Sequence, residues 1–311
     1  MLADILKHYK LTGDFSRVGF YQSKELTRVE ENLREHIRLG YFTALTGSVG
    51  AGKTTLVRKM IADLKKSKAA LVSESMSMEK ERVNLTSLVN ALYMDFGEKP
   101  EKERESRDRK LFQLIEKSGR RVALFIDDAH SLQNKTLFGL KAMVEKGLCV
   151  VLVGHPRLAF NLKRGLMEEI GMRCECLELQ GLTGEVGSYL KWLIEEAKGK
   201  IEIFSPEARE EIEQLCRTPL QVQRICWEAI KQGYQEGEKQ ISRDTILNVI
   251  MPDFRDLRTE LKRKGYTARD LANDYGYSTT QVNRFLDGKL PADDPAGKTL
   301  SVFLKTLGIG R

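Results

Sequence analysis

The stretch "YFTALTGSVGAGKTTLVRKMIADL", residues 41–64, joins a short apolar run, a glycine-rich turn and a run of helix formers. That order predicts strand, loop and helix. Within it, Gly47, Ser48, Val49, Gly50, Ala51, Gly52, Lys53 and Thr54 satisfy G-x-x-x-x-G-K-[ST] in full, in the strand-to-helix setting the motif requires. Such a loop is built for phosphate. Its glycines let backbone N–H groups converge on oxygen, and the following helix adds its positive N-terminus. Lys53 supplies a compensating charge, the Thr54 hydroxyl is a ligand for Mg2+, and Thr55 completes the first turn. ATP with Mg2+ is the expected cofactor.

Working outward, four more short apolar runs recur: "AALVS" at 69–73, "RVALFID" at 121–127, "LCVVLVG" at 148–154 and "RCECLEL" at 173–179. They alternate with helical patterns, among them "KELTRVEENLREHIRL" at 24–39, where Leu26, Val29, Leu33 and Ile37 repeat at helical spacing. The pattern predicts an α/β fold with a mostly parallel, buried sheet. "GEKPEKERESRDRK", 97–110, mixes acids and bases and reads as a solvated loop and helix start, the mixture arguing against a DNA contact there. After residue 180 only helical patterns remain, including "SPEA" at 205–208, a serine cap followed by proline at the first helical position. The expected domains are an α/β nucleotide-binding core over 1–180 with an N-terminal extension, a small helical lid over 181–252, and an all-α tail over 253–311.

The chain has 311 residues, 41% hydrophobic and 31% charged, enough to bury ordinary cores. Its apolar runs are too short to span a bilayer, so a cytoplasmic protein with no membrane partner is expected. The five cysteines, 149, 174, 176, 216 and 226, form no C-x-x-C pair and read as reduced packing residues, with Cys174 and Cys176 buried on one face of a strand. A net charge of +7 and pI near 9.0 favour a polyanionic partner.

A phosphate loop needs an acidic partner at the end of another buried strand, and "VALFIDDAH" offers Asp127 to hold Mg2+ through water and Asp128 to orient or deprotonate an attacking water. Two adjacent carboxylates there could also cap a helix. The five runs, these residues and the helical lid resemble the AAA+ class of P-loop ATPases. "FYQSKELTRVEENLREHIRLGYFTALTGSVGAGKTTL", "LFIDDAH", "VVLVGHPRLAFNLKR" and "TPLQVQRICWEAIKQGY" fall in the order of its transposition-helper and ExeA-type branch, over roughly residues 14–245. The resemblance implies a γ-phosphate sensor at His155, which could equally be structural. It also implies an arginine finger at Arg173 or Arg164, reaching a neighbouring subunit. A second sensor arginine is expected in the lid, where "RTPLQVQR" places Leu220 at the usual position and Arg224 a helical turn on. The branch usually has Glu after the strand-end aspartate. Asp128 is shorter, and slow hydrolysis is the expectation.

In "YTARDLANDYGYSTTQVNRFLDG", residues 266–288, Leu271 and Ala272 face inward from one helix, Gly276 takes a turn, and Val282, Phe285 and Leu286 face inward from the next. The stretch resembles the lambda-repressor-like helix-turn-helix and, with "GKTLSVFLKTLG" behind it, the small DNA-binding domain of phage Mu transposition protein B. The resemblance places Ser278, Thr279, Thr280, Gln281, Asn283 and Arg284 at phosphates and base edges, although the same fold also serves protein docking. Lys80 and Arg82, after the second run, are further DNA-contact candidates. Together these features imply an ATPase that assembles as a homo-oligomeric ring, spiral or filament on double-stranded DNA and recruits a transposase. Alternatives are a replication initiator or helicase loader, and a nucleotide-gated DNA-binding regulator.

Overall fold

The computed structural model describes residues 2–74, 83–163, 174–249, 257–290 and 294–309. They divide into two compact units, residues 22–183 and residues 1–21 with 184–311.

The first unit is built on one parallel sheet of β1 (Phe42–Gly47), β2 (Ala70–Glu74), β3 (Arg121–Ile126), β4 (Leu148–Gly154) and β5 (Cys174–Leu179), in the order β2-β3-β4-β1-β5. Every run read as a strand is one. The interior strands β1 and β4 are buried on both faces: β4 is apolar throughout, and β1 encloses Thr43 and Thr46 among its apolar residues. On one face, Val122, Leu124, Ile126, Val150 and Leu152 pack with Leu88, Leu92, Leu111, Leu137 and Leu140 from three helices. On the other, the helices Lys24–Leu39 and Lys53–Ser67 cover the sheet, burying Leu26, Val29, Leu33 and Ile37 from the first and Leu56, Met60 and Leu64 from the second. Strand β5 is an edge, and this corrects the expectation for its cysteines. Cys174 is buried, whereas Cys176, two residues along the same strand, is exposed: among the described residues β5 pairs only with β1, and most of its residues are not buried.

The helices Lys24–Leu39 and Lys53–Ser67 are clamped by a charged cluster. Glu30, buried, accepts from Arg34 at 2.7 Å and Lys59 at 2.8 Å, and Arg34 also reaches Asp63 at 2.7 Å. Burial alone would raise the Glu30 carboxyl, but hydrogen bonds from Lys59, Arg34 and Gln22 outweigh it and hold the pKa below the usual value.

The second unit is helical. Helices Val186–Glu196, Pro206–Leu215, Pro219–Glu236 and Arg243–Val249 form a bundle. The expected cap is present, Ser205 accepting from the Ala208 N–H at 3.1 Å, and Thr218 and Gln221, not anticipated from the sequence, form a reciprocal capping box. Residues 1–21 pack with it. The Tyr9 hydroxyl donates to the Glu238 carbonyl at 2.9 Å, and Phe15 meets Trp227 edge-on at 6.1 Å between ring centroids. In the tail, helices Ala268–Tyr275 and Thr279–Leu286 meet at a turn through Gly276, whose φ of 71° suits glycine. Leu271, Ala272, Val282 and Leu286 are buried and Phe285 is half-buried. Among the described residues no helix is long and apolar enough to cross a membrane.

Replacing Glu30 by Gln is expected to lower stability at pH 7 by about 1–3 kcal/mol, because two partly exposed cations lose a charged acceptor. The native carboxyl is depressed, so its contribution is present above the unfolded value near ~4.3 and is lost as pH falls through the native one. Thermal unfolding at both pH values checks this: a deficit that persists undiminished at pH 3 contradicts the assignment.

Candidate active site

The site gathers at the C-terminal ends of the parallel strands, where the connecting loops of such a sheet converge. At the end of β1, Gly47 lies so close to β5 that an added Cβ would stand 2.5 Å from the Leu179 carbonyl oxygen. No side chain fits. Five residues later the chain enters the helix Lys53–Ser67 through Gly52, at a φ of 104° that L side chains rarely adopt. The helix has no side-chain cap and no acid in its own first turn, so its terminal N–H groups take no hydrogen bond from a capping side chain.

Lys53 folds back over the loop, its ammonium donating to the carbonyls of Gly47 at 2.8 Å and Ser48 at 2.9 Å. Burial pulls its pKa down, opposed by the nearby Asp127 and Asp128 carboxylates. The Thr54 hydroxyl donates to Asp127 Oδ2 at 3.0 Å. The other oxygen of Asp127 accepts the Asp128 N–H at 2.9 Å. Hydroxyl and carboxylate at hydrogen-bond distance form a pair of hard oxygen donors, which fits Mg2+. Asp128 itself has φ 54° and ψ 34°, a left-handed conformation, and its carbonyl starts the short turn Ala129–Ser131 by accepting from both the N–H and the hydroxyl of Ser131.

His155 ends β4 and caps the helix Pro156–Leu162. Its ring lies 4.4 Å from that of His130, centroid to centroid, and Nδ1 of each is buried without a hydrogen-bond partner. Burial lowers both, His155 to about 4, with His130 and Lys53 adding to the effect. Both imidazoles are therefore neutral at pH 7. His130 was not singled out in the sequence. The signal was its place three residues after Asp127, on a turn that returns it to the same strand end.

The structure thus brings together Gly47, Ser48, Gly50, Gly52, Lys53, Thr54, Asp127, Asp128 and His155 at one end of the sheet. Val49 and Thr55 belong to the same loop and first turn, with exposed side chains, and Ala51 is buried beneath them. Arg224 lies in the helical unit, exposed on the helix Pro219–Glu236, and Leu220 at its start is exposed. Arg164, Arg173, Lys80 and Arg82 lie outside the described residues. In the tail, Ser278 and Gln281 cap one another, and Asn283 accepts from Arg258 at 2.8 Å through its side chain. Thr279, Thr280 and Arg284 are exposed. Arg258, which also donates to Asp287, ties the helix Leu257–Arg263 to the helix carrying these residues and was not anticipated from the sequence.

Residues 37–162 match the family model for the AAA domain. Among solved structures, the chain is similar to the Aeropyrum pernix ORC2 protein in its ADPNP-ADP complexes, at 13% identity and a TM-score of 0.54, covering 95% of this chain and 88% of that one. It is also similar to Cdc6p from Pyrobaculum aerophilum (16% identity, TM-score 0.50, 94% of this chain and 88% of that). A third is Drosophila ORC bound to DNA (12% identity, TM-score 0.51, 100% and 80%). At these identities the likeness is one of fold, an α/β core on a parallel sheet, within which residues 37–162 match the AAA domain. No curated protein matches the sequence significantly.

Gly47→Ala places a methyl group against backbone, not against a movable side chain, so β1 and β5 must separate. A loss of about 1–3 kcal/mol is expected, with weakened binding of a fluorescent ATP analogue. Wild-type thermal stability and affinity in this variant would show that the close approach does not constrain the loop.

Proposed function

We propose that the protein is an ATP-hydrolysing, DNA-binding AAA+ switch. The observation that carries this reading is the single constellation of Lys53, Thr54, Asp127 and Asp128, in which a phosphate-loop lysine and hydroxyl meet a strand-end carboxylate pair. Backbone N–H groups of residues 48–54 and the helix N-terminus would hold the phosphates. Lys53, whose ammonium holds two loop carbonyls, would exchange them for phosphate oxygens. Thr54 and Asp127 would hold Mg2+, which when bound neutralises phosphate charge. Asp128 would orient and deprotonate the attacking water, and neutral His155 would donate a hydrogen bond to the γ-phosphate. Arg224 of the helical unit and Arg173 or Arg164 of a neighbouring subunit are the proposed cationic partners.

DNA is the proposed polyanion, supported by the charge of +7 and by the tail, read as a helix-turn-helix that presents Thr279, Thr280 and Arg284. In the fuller reading the ATP state favours a homo-oligomer on duplex DNA, which recruits a transposase, and hydrolysis dissolves it. This follows the sequence resemblance to transposition helpers. A replication-initiator reading is favoured by the fold-level likeness to a protein described as DNA-bound ORC.

Asp128→Asn keeps a residue type that tolerates the left-handed turn and removes the carboxylate. Phosphate release is expected to fall by at least ~100-fold with ATP-analogue affinity within about threefold. Undiminished turnover would take Asp128 out of the chemistry. Negative-stain electron microscopy of wild type and Asp128→Asn with ATP and random-sequence duplex tests assembly. Filaments or stacked rings that need both ligands, and persist in the variant, support the transposition-helper reading. Particles that assemble only on one specific sequence favour the initiator.

A further inference from the structure

The charged segment between β2 and β3, whose mixed signs in the sequence argue against a nucleic-acid contact, leaves cations in excess on one groove. Lys110 draws Glu98 at 3.2 Å and Glu101 at 3.3 Å to one side, and Glu103 accepts from Ser106. Arg104 and Arg107 instead turn toward a groove of about 930 Å³ on which the helices Leu85–Asp95, Arg104–Lys117 and Asn134–Val144 all open with their first turns. Its charged lining is Arg104, Arg107 and Lys135 against one carboxylate, Asp108. Asp108 pairs with both arginines, at 3.9 Å from Arg104 and 3.7 Å from Arg107, so one carboxylate is shared between them and the lining keeps an excess of positive charge.

The Arg107 guanidinium is largely enclosed, and its Nε is buried with no hydrogen-bond acceptor. A buried charged N–H without an acceptor is costly, and an oxygen anion entering the groove would satisfy it. Neutral polar side chains, Asn84 and Gln133 among them, share the lining. The helix N-termini add partial positive charge of the same sign. A lining of three cations, one carboxylate and neutral polar groups, contributed by three separate helices, suits a chain of singly charged oxygens, as in a phosphodiester backbone. The groove also touches the candidate active site through the chain itself, because Gln133 follows the turn begun by Asp128.

We propose that this groove holds the phosphodiester backbone of a DNA strand, with Arg104, Arg107 and Lys135 as its phosphate contacts. It rests on the reading that the protein binds DNA. Because one wall runs into the Asp128 turn, DNA in the groove and ATP at the strand ends bias the same segment, so DNA stimulates hydrolysis through it.

The test is fluorescence anisotropy of a labelled random-sequence duplex with the full chain and ATP, across a salt series. Arg104 and Lys135 are exposed, so Arg104→Glu/Lys135→Glu leaves the core intact, which binding of a fluorescent ATP analogue within about twofold of wild type verifies. The double variant is expected to lose at least ~10-fold in DNA affinity, to shallow the log–log salt slope by about two, and to lose DNA stimulation of hydrolysis. Arg104→Lys should retain binding. Unchanged affinity and slope in the double variant, with wild type still binding duplex, overturn the groove and leave the DNA reading standing. Displacement of duplex by poly-glutamate at equal charge concentration assigns the groove to an acidic polypeptide and also overturns it. A wild-type protein that binds no duplex at low salt removes the DNA reading, and the groove with it.

Discussion

One carboxylate holds the proposed chemistry together. Asp127 accepts from the Thr54 hydroxyl with one oxygen and from the Asp128 N–H with the other, so the end of β3, the first turn of the phosphate-loop helix and the next acidic residue are fixed by a single group. Charge-assisted hydrogen bonds of this kind are roughly twice as strong as neutral ones, and here both are short-range along a buried strand end. The remaining site geometry is arranged around it. Lys53 and Thr54 are adjacent, so fixing Thr54 also limits where the lysine stem begins, and Asp128 can only leave β3 in the direction its bonded N–H allows.

That arrangement depends on a sheet buried on both faces. Strands β1 and β4 are buried along their whole length because helices cover both sides; the two threonines of β1, Thr43 and Thr46, are enclosed with their hydroxyls hydrogen-bonded to His36 and to the Leu177 carbonyl. The cluster of Glu30, Arg34, Lys59 and Asp63 serves the same end from outside: it joins the helix before β1 to the helix after the phosphate loop, so the two segments that enter and leave the loop are held to one another. Position on the sheet also explains the differing fates of similar residues. Cys149, on central β4, is fully enclosed and its thiol pushed up by burial to about 12, whereas Cys176 on edge strand β5 is exposed.

The legible parts are those governed by local rules. All five strands were readable because a buried parallel strand needs only a short apolar run, and the phosphate loop because glycine spacing reports backbone conformation directly. The cap at Ser205 was readable for the same reason, since it spans three residues. What was not legible is pairing at a distance. His130 meets His155 only after β4 has been threaded beside β3, and Arg258 meets Asn283 only once the tail has folded. The packing of residues 1–21 with the helical unit rests on contacts such as Tyr9 with Glu238, separated by most of the chain. The charges of residues 97–110 are a further case: composition counts the signs, whereas only the structure shows which carboxylate pairs with which cation, Glu98 and Glu101 with Lys110 and Asp108 with Arg104 and Arg107.

The residue after the strand-end carboxylate shows how the two kinds of information combine. Read from sequence, aspartate in place of glutamate is a shortened catalytic arm. In the structure that residue is left-handed, at φ 54°, and starts a turn that glutamate would enter at greater cost, because a short carboxylate able to bond locally is among the few side chains found there. The conformation turns the chain sharply, delivering Ala129 to the core and His130 to His155 within two residues. A shorter side chain on a tighter turn need not sit farther from its target than a longer one on an extended strand. The reach of Asp128 is therefore set by this left-handed turn as well as by the length of its side chain.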